Sequence, residues 1–295
     1  MTIFDMATKT NSYLFNINNL NSDEQTKFHT VYNDLKSRYQ SYSEYKRNLI
    51  GKDRYNEQEE ENEWCYELFR FLRARKWNIS NTIKSLLEMI QWRIDNHVDS
   101  ILYNPSVQQR MDHFRKCVPS IYHGFTKVQR PIYMEKTGQI DIDETVNKFT
   151  NEELIQCHIY WLEYSCHLAR EHSRQIRQHI ESIACIYDLH GLKMEVRKLL
   201  NTCKQCLYID DNYYPERLGQ LFVVNPPTIF PALWNLVKHF IDPVTKRKIM
   251  VLKKGNETTM TLLQHIDSDQ LPCEYGGTCR TCSTSPDCLP IHQSK

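Results

Sequence analysis

The chain has 295 residues, of which 40% are hydrophobic and 11% aromatic, which excludes a mostly disordered protein and suffices for one large domain or two smaller ones. Its 37 lysines and arginines nearly balance 36 acidic residues, so a formal net charge of +1 gives no overall attraction to nucleic acid, and none is predicted as a partner. No apolar run approaches the about 20 residues of a membrane-spanning helix, and the first residues lack a secretion signal, so we expect a cytoplasmic protein.

The first 63 residues are mostly polar and are predicted to form an N-terminal extension with one helix. Ser22 and Gln25 have the spacing of a capping box, and apolar residues recur behind them at helical intervals, so a helix is expected near 22–47. The acidic run over 57–63 follows and predicts a solvated linker.

Residues 64–116 show the periodicity of short amphipathic helices. The first helix is expected to begin near Trp64, with Arg70, Arg73 and Lys76 away from its apolar face. A second helix is expected to open at Ser80. It carries a stripe of apolar positions formed by Ile83, Leu86, Leu87, Ile90 and Ile94. Two or three short helices are therefore predicted before the main domain.

After residue 117 the apolar pattern changes to that of strands. Apolar runs predict four strands, over 130–135, 183–189, 221–224 and 249–252. Helices are expected between them, over 151–171, 192–209 and 230–241. Strands that alternate with helices in this way are typical of an α/β fold with a mostly parallel sheet flanked by helices.

The sequence offers little support for catalysis. It contains 8 glycines and no phosphate-binding loop, dinucleotide fingerprint or nucleophile elbow, so no cofactor and no catalytic residue are predicted. Asp188 and His190 lie at the predicted end of a strand, where either an acid–base pair or an ordinary turn would fit. The turn is preferred because no nucleophile accompanies them.

The 11 cysteines are scattered along a chain that is long enough to fold without disulfides, which predicts reduced thiols. Cys203-x-x-Cys206 and Cys279-x-x-Cys282 have the local spacing of zinc ligands. The two pairs lie far apart, so ordinary thiols are the preferred interpretation and no metal site is predicted.

Residues 229–241 form the most informative apolar segment of the chain. Its large side chains repeat at helical spacing and basic residues follow it, which allows two interpretations: a helix packed on the sheet, or a lid that faces lipid. The candidate lid residues are Phe230, Leu233, Trp234, Val237 and Phe240.

Seven ordered segments resemble motifs of one known family. They are FLRARK (71–76), RPIY (130–133), YDLHG (187–191), NYYPER (212–217), LFVVNPP (221–227), DPVTKRKI (242–249) and LPCEYGG (271–277). Through them the chain resembles the CRAL-TRIO lipid-binding family, most closely its phosphatidylinositol/phosphatidylcholine transfer proteins and supernatant protein factor. The resemblance implies an N-terminal helical subdomain over 64–116 and a lipid-binding domain over 117–278. In that domain the sheet would floor an apolar pocket closed by a movable helix. Residues 279–295 would form a separate tail containing cysteines.

The resemblance also implies a phosphoinositol headgroup site. Its candidate residues here are Lys76, Glu216, Thr245 and Lys248, with Arg75 either supporting the phosphate or bracing the helical subdomain. Two ammonium groups can pair with a phosphate, a threonine hydroxyl can add a donor, and a glutamate can accept hydrogen bonds from inositol hydroxyls.

Two positions on one strand depart from the family pattern. Members that bind phosphatidylcholine carry hydroxyl residues on the strand before D-L-x-G, where this chain has Ile183 and Cys185. This difference favours a more apolar second lipid, such as a sterol precursor or a tocopherol-like molecule. Tyr122 and Tyr133 match pocket aromatics of the family and are the remaining candidates for a second headgroup.

The function that the resemblance implies is transfer of one lipid at a time between membranes by a monomeric, non-enzymatic carrier of phosphatidylinositol. Transient contact with membranes of the Golgi or endosomal type would accompany it. A first alternative is a lipid-sensing module that presents its ligand to a protein partner such as a lipid kinase. A second is an enzyme built on Asp188, His190 and Cys185.

Overall fold

The computed structural model describes residues 14–38 and 57–279. The helices are α1 (Ser22–Arg38), α2 (Glu57–Ala74), α3 (Ile79–Asp95), α4 (Pro105–Cys117), α5 (Ile142–Lys148), α6 (Asn151–Ile176), α7 (Leu200–Tyr213), α8 (Phe230–Val237), α9 (Pro243–Arg247) and α10 (Asn256–His265). The strands are β1 (Ser120–Phe125), β2 (Pro131–Glu135), β3 (Ile183–Asp188), β4 (Leu218–Val224) and β5 (Ile249–Val251). In this described part, no helix combines the length and apolar character needed to span a bilayer.

The strands form one sheet in the order β1-β2-β3-β4-β5. The first two are antiparallel and every other neighbouring pair is parallel. Parallel neighbours need a crossover, and helices supply it: α6 joins β2 to β3, α7 joins β3 to β4, and α8 with α9 joins β4 to β5. The predicted α/β fold with a mostly parallel sheet flanked by helices is confirmed.

One face of the sheet packs into a filled core. Ile132 on β2, Ile186 on β3 and Phe222 on β4 are fully buried. They contact Leu262 of α10 and Ile266, which follows it. Because side chains alternate between the faces of a strand, the residues between these positions point the other way.

The N-terminal helices share a core of their own. Phe28, Val31 and Leu35 of α1 pack against Leu68 of α2 and Leu86 of α3. All of these side chains are buried. The apolar stripe predicted on α3 holds except at its last position, because Ile94 is exposed on the solvent side of the helix.

The caps of two helices differ from the prediction. At α1 the capping box is formed by Asn21 and Glu24, whose side chains bond each other's backbone N–H at 3.0 Å, one residue before the expected pair. At α3 the cap is Asn78, which accepts from Asn81 N at 2.9 Å, rather than Ser80. The rest of the helix expected near 22–47 falls beyond residue 38 and lies outside the described residues.

Two predictions about α2 are wrong. The acidic run over 57–63 is not a solvated linker but the first two turns of the helix, and Glu63 at its end is buried. Lys76 does not lie on this helix, which ends at Ala74; it occupies a left-handed backbone conformation with φ of 52°.

Candidate functional site

The face of the sheet opposite the filled core lines open space. Its register aligns one residue from each strand in a continuous row: Tyr122, Tyr133, Cys185, Leu221 and Ile249. Each of these five residues lines one of two cavities. The alternation of side chains along the strands therefore produces a packed layer on one face and a chamber on the other.

The two cavities lie next to each other. The space in the tyrosine cavity, which contains Tyr122 and Tyr133, is about 960 Å³, including the part that is open to solvent. The space in the lysine cavity, which contains Lys248, is about 1030 Å³ on the same basis. His158, Trp161 and Tyr187 line both and so stand at their boundary. The chamber is thus divided by a partition of three rings, where the resemblance implied one pocket.

Three of the four predicted headgroup residues lie in the lysine cavity: Glu216, Thr245 and Lys248. Lys248 Nζ donates to Glu216 Oε2 at 2.8 Å. Thr245 lies on α9, whose first turn is fixed by Asp242, since the carboxylate of that residue accepts from Val244 N at 2.7 Å. The structure therefore places an ammonium, a carboxylate and a hydroxyl at one part of a largely apolar wall.

The two basic residues after α2 lie elsewhere. Lys76 is exposed and lines neither cavity. Arg75 donates from Nε to Ser85 Oγ at 2.7 Å and from Nη2 to Asp211 O at 3.3 Å. Because Asp211 is part of the lysine-cavity wall, Arg75 ties the helical subdomain to that wall. These contacts are the ones expected if Arg75 braces the helical subdomain.

The two predicted pocket tyrosines are buried and hydrogen-bonded. The Tyr122 hydroxyl bonds Ser165 Oγ and donates to Trp161 O at 3.2 Å. The Tyr133 hydroxyl donates to Glu135 Oε2 at 2.9 Å. Burial raises the pKa of both tyrosines well above the usual value, so they remain neutral.

Ile183 and Cys185 belong to the same buried cluster as these tyrosines and line the lysine cavity. Burial, reinforced by the charge of Glu135, raises the pKa of the Cys185 thiol, which is therefore protonated at neutral pH. A protonated thiol and an aliphatic chain bond a polar headgroup far more weakly than hydroxyls would. This part of the floor is apolar in character.

The candidate lid segment forms α8 and a 3₁₀ turn over Lys238–Phe240. Leu233 is 9% exposed, whereas Leu236 and Phe240 are 38% and 43% exposed. Phe230, Leu233, Trp234, Val237 and Phe240 line neither cavity. Ile241, which follows them, is the residue that reaches the lysine cavity. The segment thus borders the chamber and presents apolar side chains to solvent.

Comparison with family models matches residues 115–277 to the CRAL/TRIO domain and residues 31–88 to the CRAL/TRIO N-terminal domain. The first match alone covers more than half of the chain. The protein belongs to the CRAL/TRIO family.

Its relatives include proteins named as lipid transfer proteins. It is 32% identical over 235 residues to the Sec14 cytosolic factor of Schizosaccharomyces pombe, which covers 77% of this chain and 80% of that protein. It is 33% identical over 237 residues to the phosphatidylinositol/phosphatidylcholine transfer protein SFH9 of Arabidopsis thaliana, which covers 77% of this chain and 39% of that protein. The chain thus spans about two fifths of the length of the plant relatives that it matches.

A solved structure shows the same fold. The crystal structure of Sfh5 matches with a TM-score of 0.60 at 20% identity and covers 87% of this chain and 95% of its own.

In this CRAL/TRIO domain Asp188 closes a turn. Its Oδ1 accepts from His190 N and from Asn225 Nδ2, both at 2.9 Å, and its Oδ2 accepts from the Tyr275 hydroxyl at 3.1 Å. Its carboxylate is therefore occupied by structural partners, as the turn interpretation expects.

The first of the two cysteine pairs lies on α7, where Cys203 and Cys206 both line the tyrosine cavity. Cys282 of the second pair lies outside the described residues. Among residues 14–38 and 57–279, no group of three or more His, Cys, Asp or Glu side chains is arranged to hold a metal ion.

The α6 side of the CRAL/TRIO chamber was not predicted from the sequence. Residues of α6 that line the lysine cavity are His158, Trp161, Leu162, Ser165, Cys166 and Ala169. They recur at helical spacing, so a signal exists in the sequence. Their mixture of polar, aromatic and small side chains is not that of a packed stripe, and it marks a helix face that borders a cavity.

Proposed function

We propose that this CRAL/TRIO protein is a lipid carrier that takes phosphatidylinositol into the lysine cavity and exchanges it at membrane surfaces. The observation that carries the proposal is that Glu216, Thr245 and Lys248 line the same cavity, whose wall is mostly apolar in area, and that Lys248 pairs with Glu216 there. The plant relatives named as phosphatidylinositol/phosphatidylcholine transfer proteins support it. A lipid-kinase partner, a monomeric state and Golgi or endosomal membranes remain predictions.

The chemistry of these three residues suits a phosphodiester that carries an inositol ring. Lys248 has three N–H donors, so it can hold a phosphate oxygen while it still bonds Glu216. Thr245 can add a hydroxyl donor to the phosphate, and Glu216 can accept from ring hydroxyls. Lys76, which is exposed after the end of α2 and lines neither cavity, stays a prediction as a second cation for the phosphate.

An enclosed chamber is what a diacyl lipid requires. Its chains expose about 30 methylenes, and at about 0.8 kcal/mol each they would cost about 25 kcal/mol in water. No shallow groove offsets such a cost, so the chains must enter a cavity. In this proposal they pass the partition of His158, Trp161 and Tyr187 and extend into the tyrosine cavity.

The second ligand is proposed to be more apolar than phosphatidylcholine. Ile183 and Cys185 stand on the strand where hydroxyl residues would be needed for a choline headgroup, and both are buried. The Tyr122 and Tyr133 hydroxyls already have protein partners, which limits what they can offer to a large polar headgroup.

A vesicle assay tests the headgroup site. Donor vesicles contain labelled phosphatidylinositol or a labelled sterol, and transfer to unlabelled acceptors is timed. Lys248→Ala should reduce phosphatidylinositol transfer at least about tenfold, because a charge-assisted hydrogen bond to phosphate is worth about 1.5–3 kcal/mol. Transfer of the sterol, which has no phosphate for Lys248 to bond, should be unchanged.

The matched control is Lys84→Ala, since Lys84 is an exposed lysine on α3 that pairs with Glu88 of the same helix. It should transfer phosphatidylinositol at the wild-type rate. Equal loss of both lipids in Lys248→Ala would make Lys248 a structural residue and would contradict the proposed site.

A further inference from the structure

The turn that carries Glu216 has an unusual backbone. Residues 214–217 connect α7 to β4, and Glu216 has a φ of 63°. Residues other than glycine rarely adopt this left-handed conformation, so the surrounding structure must enforce it. Glu216 nevertheless places its carboxylate 2.8 Å from Lys248 Nζ. What holds the turn therefore decides where this carboxylate lies.

A buried charged cluster from α2 holds the turn on one side. Arg70 donates from Nη1 to Pro215 O and from Nη2 to Glu67. Arg217 donates from Nη2 to the same Glu67 and from Nη1 to Glu181 O at 3.0 Å. Arg70 and Glu67 are only 2% and 5% exposed. The residues immediately before and after Glu216 are thus both tied to one pair of α2 side chains.

A second anchor fixes the start of the turn. The Tyr214 hydroxyl donates to Glu163 Oε1 at 2.5 Å. Arg93 of α3 donates to both oxygens of that carboxylate, at 2.7 and 3.2 Å. Tyr214 and Glu163 are buried. The turn is therefore held at Tyr214, Pro215 and Arg217, and Glu216 is the one member whose side chain pairs with the cavity lysine.

We infer that Arg70 and Glu67 are positioning residues for inositol recognition: they touch no ligand, but they hold the turn that presents Glu216 to the headgroup. This inference rests on the proposed function. It assigns to the N-terminal helical subdomain a role in headgroup selectivity, exerted through a buried network rather than through an exposed basic residue.

The electrostatics of the cluster formed by Glu67, Arg70 and Arg217 agree with a fixed position of the turn. Burial alone would raise the pKa of Glu67, but Arg217 and Arg70 hold it at about 2. The carboxylate is therefore ionised at neutral pH and accepts from both guanidinium groups. Removing the ion pair of Glu67 with Arg70 leaves its ion pair with Arg217 in place. The cluster can therefore be weakened without leaving an unpaired buried carboxylate.

Arg70→Met is the decisive variant. It removes the donor to Pro215 O and keeps the Glu67–Arg217 ion pair. Each variant is incubated with vesicles that contain phosphatidylinositol and a labelled sterol, and both lipids retained by the protein are measured. We expect Arg70→Met to lower phosphatidylinositol retention at least about fivefold relative to sterol retention. Arg110→Met, which removes an arginine that is bonded to Glu153 and Gln156 and lines neither cavity, should change neither.

A double-mutant cycle separates positioning from folding. In a Glu216→Gln background, Arg70→Met should cause no further loss of phosphatidylinositol, because its effect acts through the Glu216 carboxylate. Equal losses in both backgrounds, or parallel loss of the two lipids, would overturn the inference. Should Arg70→Met fail to fold, Arg70→Lys keeps the charge but lacks the fork that bonds two acceptors, and the same cycle applies.

The same experiment distinguishes a failure of the proposed function from a failure of the inference about Arg70 and Glu67. Wild-type protein that retains no phosphatidylinositol would overturn the proposed function and this inference with it. Loss in Lys248→Ala together with wild-type retention in Arg70→Met would leave the proposed function standing and overturn the inference alone.

Discussion

Glu216 and Lys248 form an ion pair in the lysine cavity. In the proposed function both side chains bind the headgroup, and in the empty cavity keeping the two charges partly buried costs free energy. Both side chains are partly buried, so each needs the other when no ligand is present. A phosphate would add a second anion to the lysine, and inositol hydroxyls would add donors to the carboxylate. The ligand therefore completes the pair without having to break it.

Acid should weaken the fold through Glu67. Its pKa is depressed from 4.5 to about 2 in the folded chain, so its contribution to stability is present above about pH 4.5 and is lost as the pH falls towards 2. That loss is about 3 kcal/mol. Urea unfolding between pH 5 and pH 2.5 measures it. Glu67→Gln should be less stable at pH 5 and show a shallower decline with acid; an unchanged decline would contradict the assignment.

At the scale of single residues, the sequence motifs pointed to side chains that the structure brings together, and their role in headgroup binding stays a prediction. Glu216 lies on one segment and Thr245 and Lys248 on another, and all three line one cavity. Predictions from the sequence were wrong where the boundary of a helix shifts by a single residue. The cap of α1 falls on Asn21 instead of Ser22, because both residues can cap and only the backbone decides.

At the scale of elements, tertiary contacts decided the start of α2. The acidic run was predicted to be solvated, yet Glu61 Oε1 accepts from the Tyr32 hydroxyl of α1 at 2.7 Å, and Asn62 Oδ1 accepts from Phe15 N. Partners from a distant part of the chain thus make a charged segment helical and partly buried. Nothing in the local pattern of residues 57–63 reveals them.

The edge strand β1 was missed for a different reason. Its sequence, SIYHGF, includes Gly124 with a φ of 64°, and the register with β2 shifts between Tyr122 and Phe125. A bulged, short antiparallel strand interrupts the alternation on which strand prediction depends. β3 and β4 were predicted because strands buried on both faces form continuous apolar runs.

The apolar segment over 229–241 is predicted to act as the moving element. Trp234→Asp should slow lipid transfer between vesicles at least about tenfold, because the interface loses a large apolar side chain worth about 1.5–3 kcal/mol and gains a charge. Asn235→Asp is the control, since Asn235 is exposed on the same helix and off its apolar stripe. Transfer by Trp234→Asp at the wild-type rate would contradict a lid role.

At the scale of the whole molecule, the sheet divides the protein into a filled side and a hollow side. The order of strands and helices was predictable, because short apolar runs alternate with helical segments along the chain. Which face of the sheet is hollow could not be predicted, because cavity-lining and core-packing residues alternate along a strand with the same two-residue period. Only the row from Tyr122 to Ile249, seen across all five strands, shows which face remains open.

The division of the chamber into two cavities also belongs to this scale. His158 of α6 bonds Asp210 of α7 at 2.7 Å, and the ring of Trp161 packs edge-on against that of Tyr133. A long lipid must displace part of this partition, whereas a small ligand could occupy one cavity alone. In the proposed function, the partition opens around the chains of a bound lipid.

The central claim is that the chamber holds one inositol lipid with its phosphate at Lys248. Native mass spectrometry of protein purified from a eukaryotic host, combined with lipid extraction, tests it most directly. The account predicts one phosphatidylinositol per wild-type chain and a loss of that species from Lys248→Ala. Wild-type protein that carries no lipid, or equal phosphatidylinositol in wild-type protein and Lys248→Ala, would contradict it.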